Sequence, residues 1–179
     1  NEQQLTHWQH KSFCLRLQNK WGQYKNFHKL EKTKEIFVPL SSILKEHYNN
    51  VMNISLLEVG CGTGHFLHVA RNKISEIYGL DYSLPMIEMC KSVFDDPLYE
   101  NRFKFVQGSC WDLPFKNDSI DITMMIDVTM HVGNNFKAIL EMLRVSKKFV
   151  LFTGPSFESF NKKYIMNKKI GKFSWAINF

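Results

Sequence analysis

Three glycines in five residues, Gly60-Cys-Gly62-Thr-Gly64, stand directly after the short apolar run Ile54-Ser-Leu-Leu-Glu-Val59. No other feature restricts the fold as much. The apolar run reads as a buried strand. Glycine costs conformational entropy, so three at one junction need a use: a backbone at positive φ, or a close approach by another group. Phe66, Leu67, Val69 and Ala70 then continue as a helix to about Asn72.

The alternation goes on down the chain. Ile77-Tyr-Gly-Leu80 is a second strand ending at Asp81. Ser83 is placed to cap a helix through Met86, Ile87, Met89, Cys90 and Val93, with Pro85 in the first turn, where proline is tolerated. Phe103-Lys-Phe-Val106, Ile120 to Ile126 and Phe149-Val-Leu-Phe152 supply three more strands. A helix starting at Asn134 or Asn135 runs through Phe136, Ile139, Leu140 and Leu143. Strands alternating with helices of about ten residues mean right-handed βαβ crossovers and a parallel sheet, an α/β fold.

Outside this region the signals are plainer. Residues 1–50 read as an N-terminal helical cap. Trp8, Phe13, Leu17 and Trp21 fall near helical spacing, and residues 34–48 form a second helix with Ile36, Phe37, Leu40, Ile43, Leu44 and Tyr48 inward. Residues 51–153 form the α/β core, and 154–179 a basic, aromatic tail. The net charge of +6 divides as +4 over 1–50, −4 over 51–144 and +6 over 145–179. The folded centre is therefore mildly acidic, which counts against a nucleic-acid stripe on the core. With 44% hydrophobic and 14% aromatic residues the chain is globular. No apolar run reaches the roughly 18 residues of a membrane span, and no leader pattern opens the chain. Cys14, Cys61, Cys90 and Cys110 include no CxxC pair, so no metal site is expected; they read as reduced thiols of a cytoplasmic protein.

In open parallel sheets, ligands bind at the carboxyl ends of strands where the strand order reverses. The helix after the glycines offers unpaired N–H groups and a positive dipole end there. The dinucleotide fingerprint is GxGxxG; the GxGxG spacing here closes sooner and leaves less room for a pyrophosphate. Asp81, seventeen residues beyond Gly64, ends the next strand. A carboxylate at that place can accept hydrogen bonds from both hydroxyls of a ribose.

The run Leu56-Leu-Glu-Val-Gly-Cys-Gly-Thr-Gly64 resembles the first motif of the class I S-adenosylmethionine-dependent methyltransferases. Leu113-Pro-Phe115, Ser119-Ile-Asp121, Met130-His131-Val132 and Glu141-Met-Leu-Arg144-Val145 resemble, in order, segments of the small-molecule "type 11" branch. The resemblance implies a Rossmann-like three-layer sandwich with strand order 3-2-1-4-5. It implies S-adenosylmethionine as cofactor, S-adenosylhomocysteine as product and a small-molecule acceptor. Glu58 would lie under the turn and fix the amino-acid end of the cofactor. Gly60, Cys61, Gly62 and Gly64 would line its methionine and ribose parts. Asp81 would hold the ribose, with Tyr82 against the adenine and Met86 closing its other side. Ser109, Cys110 and Trp111 would flank the adenine edge. Asp127 would face the methionine end, and His131 would look toward the acceptor as the catalytic base.

Three departures from the family pattern stand out. Ser109 occupies a place where the family carries an acidic residue. Ser146-Lys-Lys148 replaces a Lys-Pro-Gly-Gly turn. Only 26 residues follow Thr153, which predicts that the C-terminal antiparallel strands are missing from a truncated chain. Asp127-Val-Thr-Met130 stands where nucleic-acid amino-methylating relatives carry an Asn/Asp-Pro-Pro-Tyr/Phe segment, which counts against a DNA-base acceptor. The competing readings are a non-catalytic cofactor-binding module, an RNA methyltransferase drawn by the basic ends, and a nicotinamide-dependent oxidoreductase. A homodimer is compatible with the apolar tail.

Overall fold

The computed structural model describes residues 9–12, 15–16, 40–49, 53–71, 74–95, 97–99 and 101–154, and the backbone of 162–167 and 172–175. Trp8, Phe13, Leu17 and Trp21 of the expected N-terminal helix lie outside the described residues, as do Ile36 and Phe37. Helix α1 covers 40–47. The core then runs β1 (Ser55–Val59), α2 (His65–Ala70), β2 (Glu76–Asp81), α3 (Leu84–Val93), β3 (Phe103–Gln107), β4 (Ile120–Met125), α4 (Asn135–Val145) and β5 (Ser146–Gly154). Two more strands follow, β6 (Lys162–Asn167) and β7 (Lys172–Trp175).

The seven strands form one sheet in the order β3-β2-β1-β4-β5-β6-β7. The first five are parallel, in the expected order 3-2-1-4-5. β1 is central and every residue of it is buried. That is why its sequence reads as an unbroken apolar run rather than an alternating one. The order reverses between β1 and β4, the two strands reached from opposite directions along the chain.

The expectation of a missing antiparallel pair is wrong. β6 pairs antiparallel with β5, from Phe149 opposite Asn167 to Gly154 opposite Lys162, and β7 pairs antiparallel with β6. A parallel neighbour requires a crossover of a dozen or more residues; an antiparallel one requires only a reversal of direction. Seven residues, 155–161, separate β5 from β6, so the 26 residues beyond Thr153 suffice.

The two faces of the sheet carry separate cores. Leu40, Ile43 and Leu44 of α1, Phe66 and Leu67 of α2, and Ile87 and Cys90 of α3 pack on the face that presents Leu56, Ile122, Met124, Phe149 and Leu151. Ala138, Met142 and Val145 of α4 pack on the other face, against Leu57, Val59, Met125, Val150 and Phe152. Alternate residues of each strand thus enter alternate layers, giving helix, sheet and helix. Ile120 sits on the α4 side although Ile122 faces α1, because the β4–β5 register shifts between them.

Helix ends follow local chemistry. Ser83 caps α3 by accepting the Met86 N–H, with proline in the first turn. Asn134 caps α4 by accepting the Lys137 N–H at 3.0 Å. From α4, Arg144 donates to the carbonyls of Phe115 (2.8 Å) and Leu113 (2.9 Å) and to Glu141 (2.7 Å). Glu141 in turn accepts the Leu113 N–H at 2.8 Å. This clamp fixes the loop that follows residues 109–112 to α4.

Gly79 lies mid-β2, where a Cβ would stand 2.8 Å from the Phe105 ring and 2.9 Å from both Cys61 Sγ and Leu67. Gly79→Ala should therefore lose about 1–3 kcal/mol of stability through overpacking, read as a lower urea midpoint. An unchanged midpoint would contradict this packing.

Candidate functional site

The carboxyl ends of β1, β2 and β4 meet at the reversal of strand order. Gly60, Gly62 and Gly64 take φ of 76°, 54° and 76°, a region where side chains other than glycine are strained. The Gly60 and Cys61 N–H groups donate to the Leu80 carbonyl at 2.7 and 3.0 Å. Gly62 N–H donates to Asp81 Oδ2 at 2.8 Å, and Gly64 N–H to the Cys61 carbonyl at 2.9 Å. The expectation that this turn presents bare amides to a ligand is thereby corrected at these four residues. Their donors hold the turn to β2 and to itself.

What the turn does present is surface without side chains. A Cβ on Gly60 would fall 2.3 Å from Val128 Cγ2, and one on Gly64 would fall 2.8 Å from the Phe94 ring. Those two positions are closed by the protein's own packing. A Cβ on Gly62 would meet nothing within 4 Å. At Gly62 alone of the three, the bare backbone faces open space.

Asp81 ends β2 beside this opening. Its Oδ2 takes the Gly62 N–H and its Oδ1 the Ser83 N–H, both at 2.8 Å. Burial pushes the carboxyl above its usual range, while N–H donors from Ser83, Gly62 and Tyr82 pull the other way. Tyr82 follows, 49% exposed, whereas Met86 is buried in the first turn of α3. The Tyr82 carbonyl accepts from Gln107 at 3.2 Å and from Gln9 at 3.1 Å. Gln9 thus stands at the rim of the crevice.

Glu58, one residue before the end of β1, lies beneath the turn. It is 1% exposed, and its Oε2 has no hydrogen-bond partner. Burial first, then the negative charges of Asp81 and Asp127, hold its carboxyl well above the usual carboxylate range. Cys61 is also buried, and its thiol is pushed up by its contact with Cys90, by burial and by the nearby acids. A thiol so raised is a poor nucleophile, which fits Cys61 as a small residue filling a tight turn.

Asp127 follows β4 with φ 56°, an unusual conformation for a residue with a side chain. Its N–H donates to Thr153 Oγ1 at 2.8 Å, which locks that geometry. The chain then turns through Val128, whose carbonyl accepts the His131 N–H at 2.8 Å. His131 is half-buried on this turn, at the same end of the sheet. On the far side of β2, Ser109 Oγ accepts the Trp111 N–H at 3.1 Å and Ser109 pairs with Asp112 across a tight bridge. Trp111 Nε1 donates to the Asn134 carbonyl at 3.0 Å, tying this loop to the start of α4. Burial raises the Cys110 thiol to about 11.

Sequence reading missed the residues that hold the site together. Val128 fills the space over Gly60, Thr153 fixes Asp127, and Cys90 Sγ reaches the Gly62 carbonyl at 3.2 Å. All are contacts between segments distant in sequence, without a local spacing signal. Among the described residues no group of three or more His, Cys, Asp or Glu could hold a metal, and no helix is long and apolar enough to cross a membrane.

The profile of a family described as "Methyltransferase domain" matches residues 57–152. A Bacillus subtilis protein named as the uncharacterized methyltransferase YcgJ is 32% identical over 93 residues, covering 52% of this chain and 36% of its own. Norajmaline N-methyltransferase of Rauvolfia serpentina is 28% identical over 93 residues, covering 51% of this chain and 32% of its own. The crystal structure of YcgJ superposes with a TM-score of 0.56 at 28% identity, over 65% of this chain and 50% of that one. Magnesium protoporphyrin IX methyltransferase of Synechocystis, solved with bound S-adenosylmethionine, shares the fold with a TM-score of 0.63 at 14% identity, over 81% and 71% of the two chains. The chain thus spans about a third of the length of these two curated relatives.

The Glu58 environment predicts a pH signature in the free protein. Its folded carboxyl titrates above its unfolded value, so its contribution to stability is complete below the unfolded value and is lost as pH rises through the folded one. Glu58→Gln, which cannot ionise, should be more stable than the parent at about pH 8, with the gap closing toward about pH 4. Urea unfolding at the two pH values checks this; a gap independent of pH would contradict it.

Proposed function

The chain belongs to the methyltransferase-domain family, which matches it over residues 57–152, and from that premise we propose that it transfers the methyl group of S-adenosylmethionine to a small-molecule acceptor in the cytoplasm. The observation that carries this reading is the pairing of Gly62 and Asp81: bare backbone open to space, tied at 2.8 Å to a strand-end carboxylate. A nucleoside laid across the ends of β1 and β2 would pass over Gly62 and set its ribose hydroxyls on Asp81. The buried, unpartnered Glu58 oxygen beneath the turn suits a cationic amino-acid end. In this reading the exposed Tyr82 takes one adenine face, Met86 closes the other side, and Ser109, Cys110 and Trp111 flank its edge.

The cofactor supplies a methyl group already activated by positive charge on sulfur. The protein's task is then to align the acceptor in line with the S–CH₃ bond and to exclude water. Asp127, held by Thr153, faces the methionine end in this reading. His131 takes the proton when the acceptor is a hydroxyl or a protonated amine. Gln9, hydrogen-bonded to the Tyr82 carbonyl, stands at the rim of the crevice on the β2 side. The small-molecule assignment is supported by relatives such as norajmaline N-methyltransferase. The cytoplasmic one rests on the free thiols Cys61, Cys90 and Cys110.

A thermal-shift comparison tests the reading. S-adenosylmethionine and S-adenosylhomocysteine should each raise the melting temperature, and a nicotinamide dinucleotide should not. Asp81→Ala should weaken S-adenosylhomocysteine binding by about 1–3 kcal/mol, the cost of a lost charge-assisted pair of hydrogen bonds. Stabilisation by the dinucleotide alone would overturn the proposal, and undiminished affinity in Asp81→Ala would remove Asp81 from the ribose.

A further inference from the structure

A carboxyl group on the middle strand of a sheet is costly unless something uses it. Glu58 pairs in register with Gly79 of β2 on one side and Met124 of β4 on the other, so neither neighbour offers it a charge. The titratable groups around it are Asp81 at the end of β2, Asp127 after β4 and Cys61 in the glycine turn, with the Cys90 thiol of α3 next to Cys61. The groups that act on the Glu58 carboxyl are both acids, and one of its oxygens is buried without a partner. Two nearby carboxylates, with no compensating cation acting on it among the described residues, favour the neutral acid at Glu58. A cation brought into the same crevice reverses that preference.

We propose that Glu58 is a proton-exchanging counter-charge for the methionine end of the cofactor: it carries a proton in the free protein and surrenders it to solvent when the α-ammonium of the cofactor arrives. The proposal rests on the S-adenosylmethionine reading above. No covalent bond changes; one O–H proton passes to the buffer, and the carboxylate left behind accepts the ammonium. The site then selects for the amino-acid part of the ligand as well as for the nucleoside. Binding tightens with rising pH by up to tenfold per unit while Glu58 is protonated in the free protein and ionised in the complex. The useful range, between about pH 5.5 and 7, lies below the α-amino group's own titration.

Calorimetry of S-adenosylhomocysteine binding, repeated in buffers of unlike ionisation enthalpy, counts the protons directly. The expected result is a net release approaching one proton per molecule bound within that range. 5′-Methylthioadenosine, which lacks the amino-acid end, should bind with no release, a comparison that needs no variant. Glu58→Gln should bind S-adenosylhomocysteine with no release and with an affinity flat over the same pH range. Binding of S-adenosylhomocysteine without proton release overturns this proposal and leaves the cofactor reading standing. Equal release with 5′-methylthioadenosine, or undiminished release in Glu58→Gln, assigns the proton to another group and also overturns it. Absence of binding heat with both S-adenosylmethionine and S-adenosylhomocysteine in every buffer overturns the cofactor reading, and this proposal with it.

Discussion

The hydrogen bond from the Gly62 N–H to Asp81 Oδ2, at 2.8 Å, joins the two strand ends on which the site is built. It holds a left-handed backbone in place at the end of β1, and it orients the carboxylate at the end of β2. The Leu80 carbonyl reinforces it by accepting from both Gly60 and Cys61. The turn is therefore a rigid extension of the sheet. Its N–H donors are taken up by β2 and by the turn itself, and of its three glycines Gly62 alone faces open space.

The same economy recurs around the crevice. Val128 closes the space over Gly60 and so seats the turn after β4 on the turn after β1. Thr153 at the end of β5 fixes Asp127 in a backbone conformation that aspartate adopts at a cost. Arg144 and Glu141 of α4 hold the loop that ends in Leu113 and Phe115. Strain and buried charge collect at the ends of β1, β2 and β4, and the helices beneath carry ordinary apolar packing. That division is what a binding site supported by a stable core requires.

Most of the core was legible because local chemistry and tertiary packing agree. Ser83 with Pro85 marked the start of α3, Asn134 the start of α4, and the apolar run before Gly60 the buried central strand. The antiparallel pair β6 and β7 was missed because residue counting assumed a longer connection than an antiparallel reversal requires. The role of the glycine amides was misjudged for a different reason. Spacing shows that a backbone must bend, but whether its N–H groups point outward depends on Leu80 and Asp81, which lie on another strand. The unpartnered oxygen of Glu58 and its acidic neighbours emerge only when β1, β2 and the turn after β4 are brought together.

The most direct test of the account is a crystal structure of the chain with S-adenosylhomocysteine. The account predicts the ribose hydroxyls on Asp81, the nucleoside passing over Gly62, and the amino group directed toward Glu58. A ligand bound elsewhere on the sheet, or the Gly62 opening filled by the protein's own side chains, would contradict it.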